Sequence, residues 1–268
     1  MIYDLPRATL GRTGLSVTRL GVGGAYCKTA EGYRAVLDCG ANYVDTARAY
    51  LDGKDEEIIG QAIAGRRAAL ILSTKSLRRD AAGARQDLET SLKFLGTDYV
   101  DIWHLHYLNT QDERERALGP GGAYEAALKA REDGLIRFIG VTGHDWAEVG
   151  KAVATGLFDA VLCWYNCAMK EPEQLVFPEA VRHGTGVVIM NASRNDKLFG
   201  GPGAPPPPDF YRYVLSHDAV HLTVMGLRNV SLFQEVARAL AERVTLSSEE
   251  KQRLEEYGAA MRAAGKLG

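Results

Sequence analysis

Four polar residues in the first half of the chain could together deliver a proton to a reacting oxygen: Asp45, Tyr50, Lys75 and His106. A free phenol has a pKa of about 10 and is a poor acid at neutral pH. An ammonium group beside it favours the phenolate and lowers that value. A carboxylate would keep the ammonium charged and in place, and a histidine could donate a hydrogen bond that polarises a substrate oxygen. The chemistry that calls for this set is hydride transfer to a carbonyl, with Tyr50 protonating the oxygen. Taken singly, each residue has an ordinary reading: a strand-end Asp is a turn former and a strand-end Lys reaches solvent. The case for chemistry is their joint occurrence.

That joint occurrence depends on what carries them. Short β-rich runs recur at Thr18–Val22, Asn42–Asp45, Ala69–Thr74, Tyr99–His106, Ile136–Thr142, Ala160–Trp164, Gly186–Met190 and Val220–Met225. Between them, helical periodicity predicts Ala30–Cys39, Asp55–Ala64, Ala81–Leu95, Ala123–Glu132, Trp146–Ala154, Pro172–His183 and Val230–Ala241. Asp209–Ser216 supplies the helix before the last strand. Eight strand–helix alternations with no second composition regime predict one α/β domain, a closed (β/α)8 TIM barrel spanning 1–268. An open doubly wound sheet would show a glycine fingerprint after the first strand, and Gly21-Val22-Gly23-Gly24 lacks the third, correctly spaced glycine. Barrel active sites lie at the carboxyl ends of the strands. The second, third and fourth strands end at Asp45, beside Lys75 and at His106, so one rim receives all three, with Tyr50 just above.

Two segments fall outside the repeat. Asn191–Pro208 is a long loop with a glycine-rich turn and four consecutive prolines, Pro205–Pro208, of the kind that is functional or disordered. After it, the spacing of Ser247 and Glu250 fits a capping box opening an amphipathic C-terminal helix.

The composition sets limits. The chain has 268 residues, 46% of them hydrophobic, enough for one sizeable core, and a formal net charge of -2. No basic stripe is available for a nucleic-acid backbone. No apolar run is long enough to span a bilayer, and the first ten residues carry Asp4, Pro6 and Arg7 where a signal peptide needs an apolar stretch. Cys27, Cys39, Cys163 and Cys167 form no CxxC pair; reduced thiols in a cytoplasmic protein are the expectation.

Several stretches resemble the bacterial aldo-keto reductases. Gly11-Arg12-Thr13-Gly14-Leu15-Ser16-Val17 leading into Leu20-Gly21-Val22-Gly23 is similar to that family's opening. The Asp45–Tyr50 segment, DTARAY, resembles its Asp-Thr-Ala…Tyr motif, and Ser73-Thr74-Lys75 its lysine motif. Asp98–His106 resembles its fourth-strand signature, which ends in the catalytic histidine. The resemblance implies a catalytic tetrad of Asp45, Tyr50, Lys75 and His106, and reduction of an aldehyde or ketone, or the reverse oxidation, with a nicotinamide cofactor. Thr142 and Gly143 fall where the family's Ser-Asn pair holds the carboxamide, in the Thr-Gly-His form of a subset. Leu162 stands where a glutamine is usual and Asn191 where an aromatic usually stacks on the nicotinamide. Ser193, Arg194 and Leu198 lie in the loop that folds over the cofactor. Gly226, Leu227 and Arg228, followed by a helix, resemble the pyrophosphate and adenosine site, and Arg228 paired with a 2′-phosphate would favour NADPH, with NADH left open.

Other patterns lead elsewhere. His104-Leu105-His106 matches an HxH metal motif, as in metal-dependent barrel hydrolases. Those place the pair on the first strand and add ligands from later ones, and here strands five, six and eight end without a His, His, Asp set. The expectation is no metal, with His104 a buried, hydrogen-bonded residue. Cys163 and Cys167 are read as core packing, and Tyr26, Trp103, Tyr107, Trp146 and Tyr165 as rim or pocket aromatics. A silent nicotinamide-binding redox sensor is the remaining rival, which would have no need of Tyr50 and Lys75 together.

Overall fold

The computed structural model describes residues 2–267. An antiparallel hairpin, β1 (Arg7–Thr9) and β2 (Ser16–Thr18), precedes eight parallel strands: β3 (Leu20–Gly23), β4 (Tyr43–Asp45), β5 (Ile71–Ser76), β6 (Val100–Leu105), β7 (Ile136–Thr142), β8 (Ala160–Trp164), β9 (Gly186–Met190) and β10 (Leu222–Gly226). These close in the order β10-β3-β4-β5-β6-β7-β8-β9. The helices are α1 (Ala30–Leu37), α2 (Asp55–Ile63), α3 (Ala81–Leu95), α4 (Gln111–Leu118), α5 (Ala123–Glu132), α6 (Trp146–Ala154), α7 (Pro172–Leu175), α8 (Phe177–His183), α9 (Pro207–Leu215), α10 (Val230–Glu242) and α11 (Ser248–Ala263). The chain is a (β/α)8 barrel. Among the described residues no helix is long and apolar enough to cross a membrane.

Side chains alternate along each strand between the barrel interior and the surrounding helices. Tyr43, Ile102, Ala160, Leu162, Val188, Leu222 and Val224 pack inside, and Leu10, Leu15 and Val17 join them from the hairpin segment. Their neighbours Val44, Trp103, Val161, Ile189 and Met225 belong to the outer core with the helices. This period places Asp45 and Lys75 inward. In register, Asp45 pairs with Ser73, and Lys75 with His104, which in turn faces Gly140. Gly140 has a specific reason: a Cβ there would stand 2.2 Å from the His104 ring.

The differences from the sequence reading have local causes. Residues 16–18 pair with β1, so the first barrel strand starts at Leu20, after Thr18. The long helix expected over Pro172–His183 breaks at Val176. Pro178 has no N–H for a bond to Gln174 and its ring would crowd that carbonyl. In the Pro205–Pro208 run, α9 begins at Pro207, because proline suits the first turn, where N–H groups have no partner. Helix α4 has little apolar periodicity to announce it; its signal is the Thr110/Glu113 capping box.

Candidate active site

Lys75 is buried at the end of β5 and makes three hydrogen bonds with its ammonium group. It donates to Asp45 Oδ2 at 2.6 Å, to the Thr46 carbonyl at 2.6 Å and to the Tyr50 hydroxyl at 3.2 Å. Ser73 donates to the second Asp45 oxygen at 3.0 Å. The carboxylate is therefore satisfied on both sides, which a buried charge requires. Tyr50 sits in a turn whose next two residues, Leu51 and Asp52, adopt left-handed φ of 50° and 54°. Arg48 holds that turn: its guanidinium donates to the Gly53 carbonyl and to Glu56, and its backbone N–H donates to the Lys75 carbonyl at 3.1 Å. Glu56 accepts in turn from Thr74 at 2.6 Å.

His106 lies against Tyr50, ring centroids 5.9 Å apart and edge-on. The structure thus brings Asp45, Tyr50, Lys75 and His106 into one cluster. Electrostatics correct one expectation. Burial raises the Tyr50 phenol above its ordinary value, and the Lys75 ammonium, the largest opposing influence, does not cancel that. Burial depresses Lys75, yet Asp45 and Tyr50 outweigh it and hold the ammonium above its usual range. Burial and the nearby Lys75 push His106 down to about 2. At neutral pH the cluster therefore presents a protonated phenol, a charged ammonium and a neutral imidazole. Such a set can hand a proton from Tyr50 to an oxygen within hydrogen-bond reach, with Lys75 stabilising the phenolate left behind.

Beside Tyr50 opens a cavity of about 310 Å³ lined by residues from the ends of several strands. Of the sequence-predicted contacts, Asn191, Ser193, Gly226 and Arg228 line it. Thr142, Gly143, Leu198 and Leu227 are buried and do not. Leu198 and Leu227 point into the core, and Gly143 backs onto Val149 and Leu108. Asn191 is occupied in shaping its own loop, accepting from Asn195 N–H at 3.1 Å through its side chain and from Asn166 at 3.0 Å through its carbonyl. Tyr26 and Tyr107 line the cavity, whereas Trp103 and Tyr165 are core residues and Trp146 is partly buried.

Sequence reasoning named Tyr107 but missed the stack beyond it. His144 and Trp164 stack there, with centroids 4.1 Å apart, and Tyr107 packs on His144 at 4.2 Å. The signal for Trp164 was available: it shares the inward face of β8 with Ala160 and Leu162. Three loops also meet across the cavity. Tyr26 donates to Asn195 at 3.0 Å, Arg228 stacks 3.9 Å over the Tyr26 ring, and its Nε lies 3.8 Å from Asp196. A Cβ at position 226 would stand 2.6 Å from that ring, so glycine permits the crossing.

Among the described residues no group of three or more His, Cys, Asp or Glu is arranged to hold an ion. His104 is buried and neutral, pushed by burial to about 3, but neither ring nitrogen makes a well-formed hydrogen bond, unlike the expectation. Cys163 and Cys167 are buried thiols pushed up to about 12, consistent with packing.

Fold and cluster together define a TIM-barrel protein whose mouth carries an acid–ammonium–phenol relay beside a neutral imidazole. A model of the aldo/keto reductase family matches residues 25–195. The aldo-keto reductase YhdN of Bacillus subtilis is 32% identical over 195 residues, 64% of this chain but 57% of that protein, so the match spans little more than half of the relative's length. Among solved structures, the holo form of aldo-keto reductase AKR11C1 from Bacillus halodurans superposes with a TM-score of 0.82 at 24% identity, covering 95% of this chain and 96% of that one. An aldo/keto reductase from Klebsiella pneumoniae in complex with NADP and acetate gives 0.77 at 24%, covering 95% and 96%. The chain belongs to the aldo/keto reductase family.

Proposed function

We propose that this protein is an NADPH-dependent oxidoreductase that reduces the carbonyl of an aldehyde or ketone, with Tyr50 as the proton donor. The observation that carries the reading is the Tyr50 hydroxyl held 3.2 Å from the buried Lys75 ammonium on the wall of a cavity that extends to Gly226 and Arg228. Family membership and the NADP-bound Klebsiella relative support it. The residues fit such a cofactor. Arg228 suits a 2′-phosphate, and α10 opens beside it with Asn229 capping Leu232 N–H at 3.1 Å. That cap leaves the N–H groups of Val230 and Ser231 free of intrahelical partners, a ready anion site. Asn191 and Ser193 border the same cavity.

A bound reduced nicotinamide would supply the hydride. The chain supplies the rest. Tyr50, kept protonated by burial, donates to the carbonyl oxygen; Lys75 steadies the developing phenolate; Asp45 and Thr46 hold Lys75 in place. His106, neutral, orients the oxygen through a ring N–H. The test is loss of NADPH absorbance on mixing the purified protein with a panel of aldehydes and ketones. Saturable turnover is expected; NADPH binding with no turnover across the panel would replace this reading with a redox sensor, and no binding would end both.

A further inference from the structure

Arg194 lies between the cavity-lining Ser193 and Asn195, and the described residues offer its side chain neither a hydrogen bond nor an ion pair. Its guanidinium lies 4.5 Å over the Trp164 ring, and its Nε is buried without a partner. Arg48, Arg79 and Arg228, by contrast, each have a carboxylate nearby. The buried Nε carries a desolvation cost that an acceptor would offset, and the fork of a guanidinium matches a carboxylate with two parallel hydrogen bonds. Its placement is built. Arg194, Asn195 and Asp196 run consecutively at left-handed φ of 52°, 55° and 65°, unusual for residues other than glycine. The turn is pinned by Asn191, by Ser193 donating to Asp196 at 3.0 Å, and by Tyr26.

From Tyr50 a continuous line of rings leads to this cation: His106, Tyr107, His144 and Trp164, each within 6 Å of the next. A flat, unsaturated body is what such a wall packs against. We infer that Arg194 and Trp164 form an anion subsite of the substrate pocket, and that the substrate class is an aromatic aldehyde bearing a carboxylate. The carbonyl faces Tyr50 and the carboxylate faces Arg194. This rests on the reductase reading above.

The test compares 4-carboxybenzaldehyde with its methyl ester, methyl 4-formylbenzoate. The ester withdraws electrons more strongly and is the more reactive carbonyl, so a preference for the acid must come from binding. Wild type should favour the acid by about tenfold or more in kcat/KM, the scale of one charge-assisted hydrogen bond. Arg194→Met, which keeps the apolar stem over Trp164, should erase that preference by lowering kcat/KM for the acid more than for the ester. No acid preference in wild type, or a preference that survives Arg194→Met, overturns the inference. So does a variant that loses NADPH affinity with its preference intact, which would assign the guanidinium to the cofactor's phosphates. If neither aldehyde is reduced while other carbonyls of the panel are, the inference fails; if nothing in the panel is reduced, it is the reductase reading that fails. Calorimetric titration with benzoate then judges the subsite alone: saturable binding to wild type and none to Arg194→Met upholds it, and equal behaviour of the two rejects it.

Discussion

The two sides of the cavity are built on different principles. On the side of β4, β5 and β6, every charged group of the relay is buried and paired: Lys75 with Asp45, Glu56 with Arg48 and Thr74. On the side of β8, β9 and β10, Tyr26, Arg194 and Arg228 sit on loops, partly exposed, joined by stacking and one long ion pair at 3.8 Å. The first side is organised before any ligand arrives, as electrostatic catalysis demands. The second has contacts that a ligand can exchange for its own. Left-handed backbone at non-glycine positions follows the mouth around, at Ala25, Leu51, Asp52, Tyr107, Asn191 and Arg194–Asp196, all in loops after strand ends. Strain of that kind concentrates where a side chain must be aimed.

The comparison can be broken most directly at Tyr50. Tyr50→Phe removes the proton but keeps the ring, and turnover should fall about 10²–10⁴-fold, the usual worth of a general acid. NADPH affinity, followed by fluorescence titration, should barely move. Near-normal turnover would mean that the donor lies elsewhere. Next in size is a stability effect confined to the buried side. Lys75→Met strands the Asp45 charge and should cost about 3–5 kcal/mol in urea unfolding. Arg228→Ala, on the exposed side, should stay within about 0.5 kcal/mol. Equal costs would erase the distinction between the two walls.

A smaller effect comes from pH. His106 and His104 have folded values of about 2 and about 3, depressed from about 6.5 in the unfolded chain. The unfolded state binds more protons, so the stability present above pH 6.5 is lost as pH falls towards those values. By pH 5 each buried imidazole should cost roughly 2 kcal/mol. His106→Asn should lose its share of that acid sensitivity, measured as the difference in unfolding free energy between pH 7 and pH 5. An unchanged difference would show that His106 is not held neutral. The smallest effect is selective: Arg228→Ala should lower the preference for NADPH over NADH by about tenfold in kcat/KM, with kcat on saturating NADPH little changed. A preference that does not move would return Arg228 to a loop role.

How far the sequence could be read follows the same division. The expected positions of β7, β8, β9, α3, α5 and α6 agree with the structure to the residue. Their periodicity is strong and their ends are marked: Asp80 and Asp145 cap α3 and α6, and Gly96 closes α3. Asp45, Tyr50, Lys75 and His106 were legible because the strand ends that carry them are consecutive in the chain. The facing wall was not. His144, Trp164 and Arg194 come from three separate loops or strand ends, and nothing in a local pattern says that they stack. Thr142, Gly143, Leu198 and Leu227 stay off the cavity wall for a related reason, since a position in a motif does not say which way a side chain turns.

What the sequence determined by itself was therefore the alternation of elements and, through the two-residue period of the strands, which residues face the barrel axis. Only the tertiary structure decided the protonation of the relay. The identity of Tyr50 and Lys75 predicts a phenol made more acidic, but how much water the folded barrel removes sets the opposing shift, and burial prevails. Desolvation is a property of everything packed around a group, and no short stretch of sequence contains it.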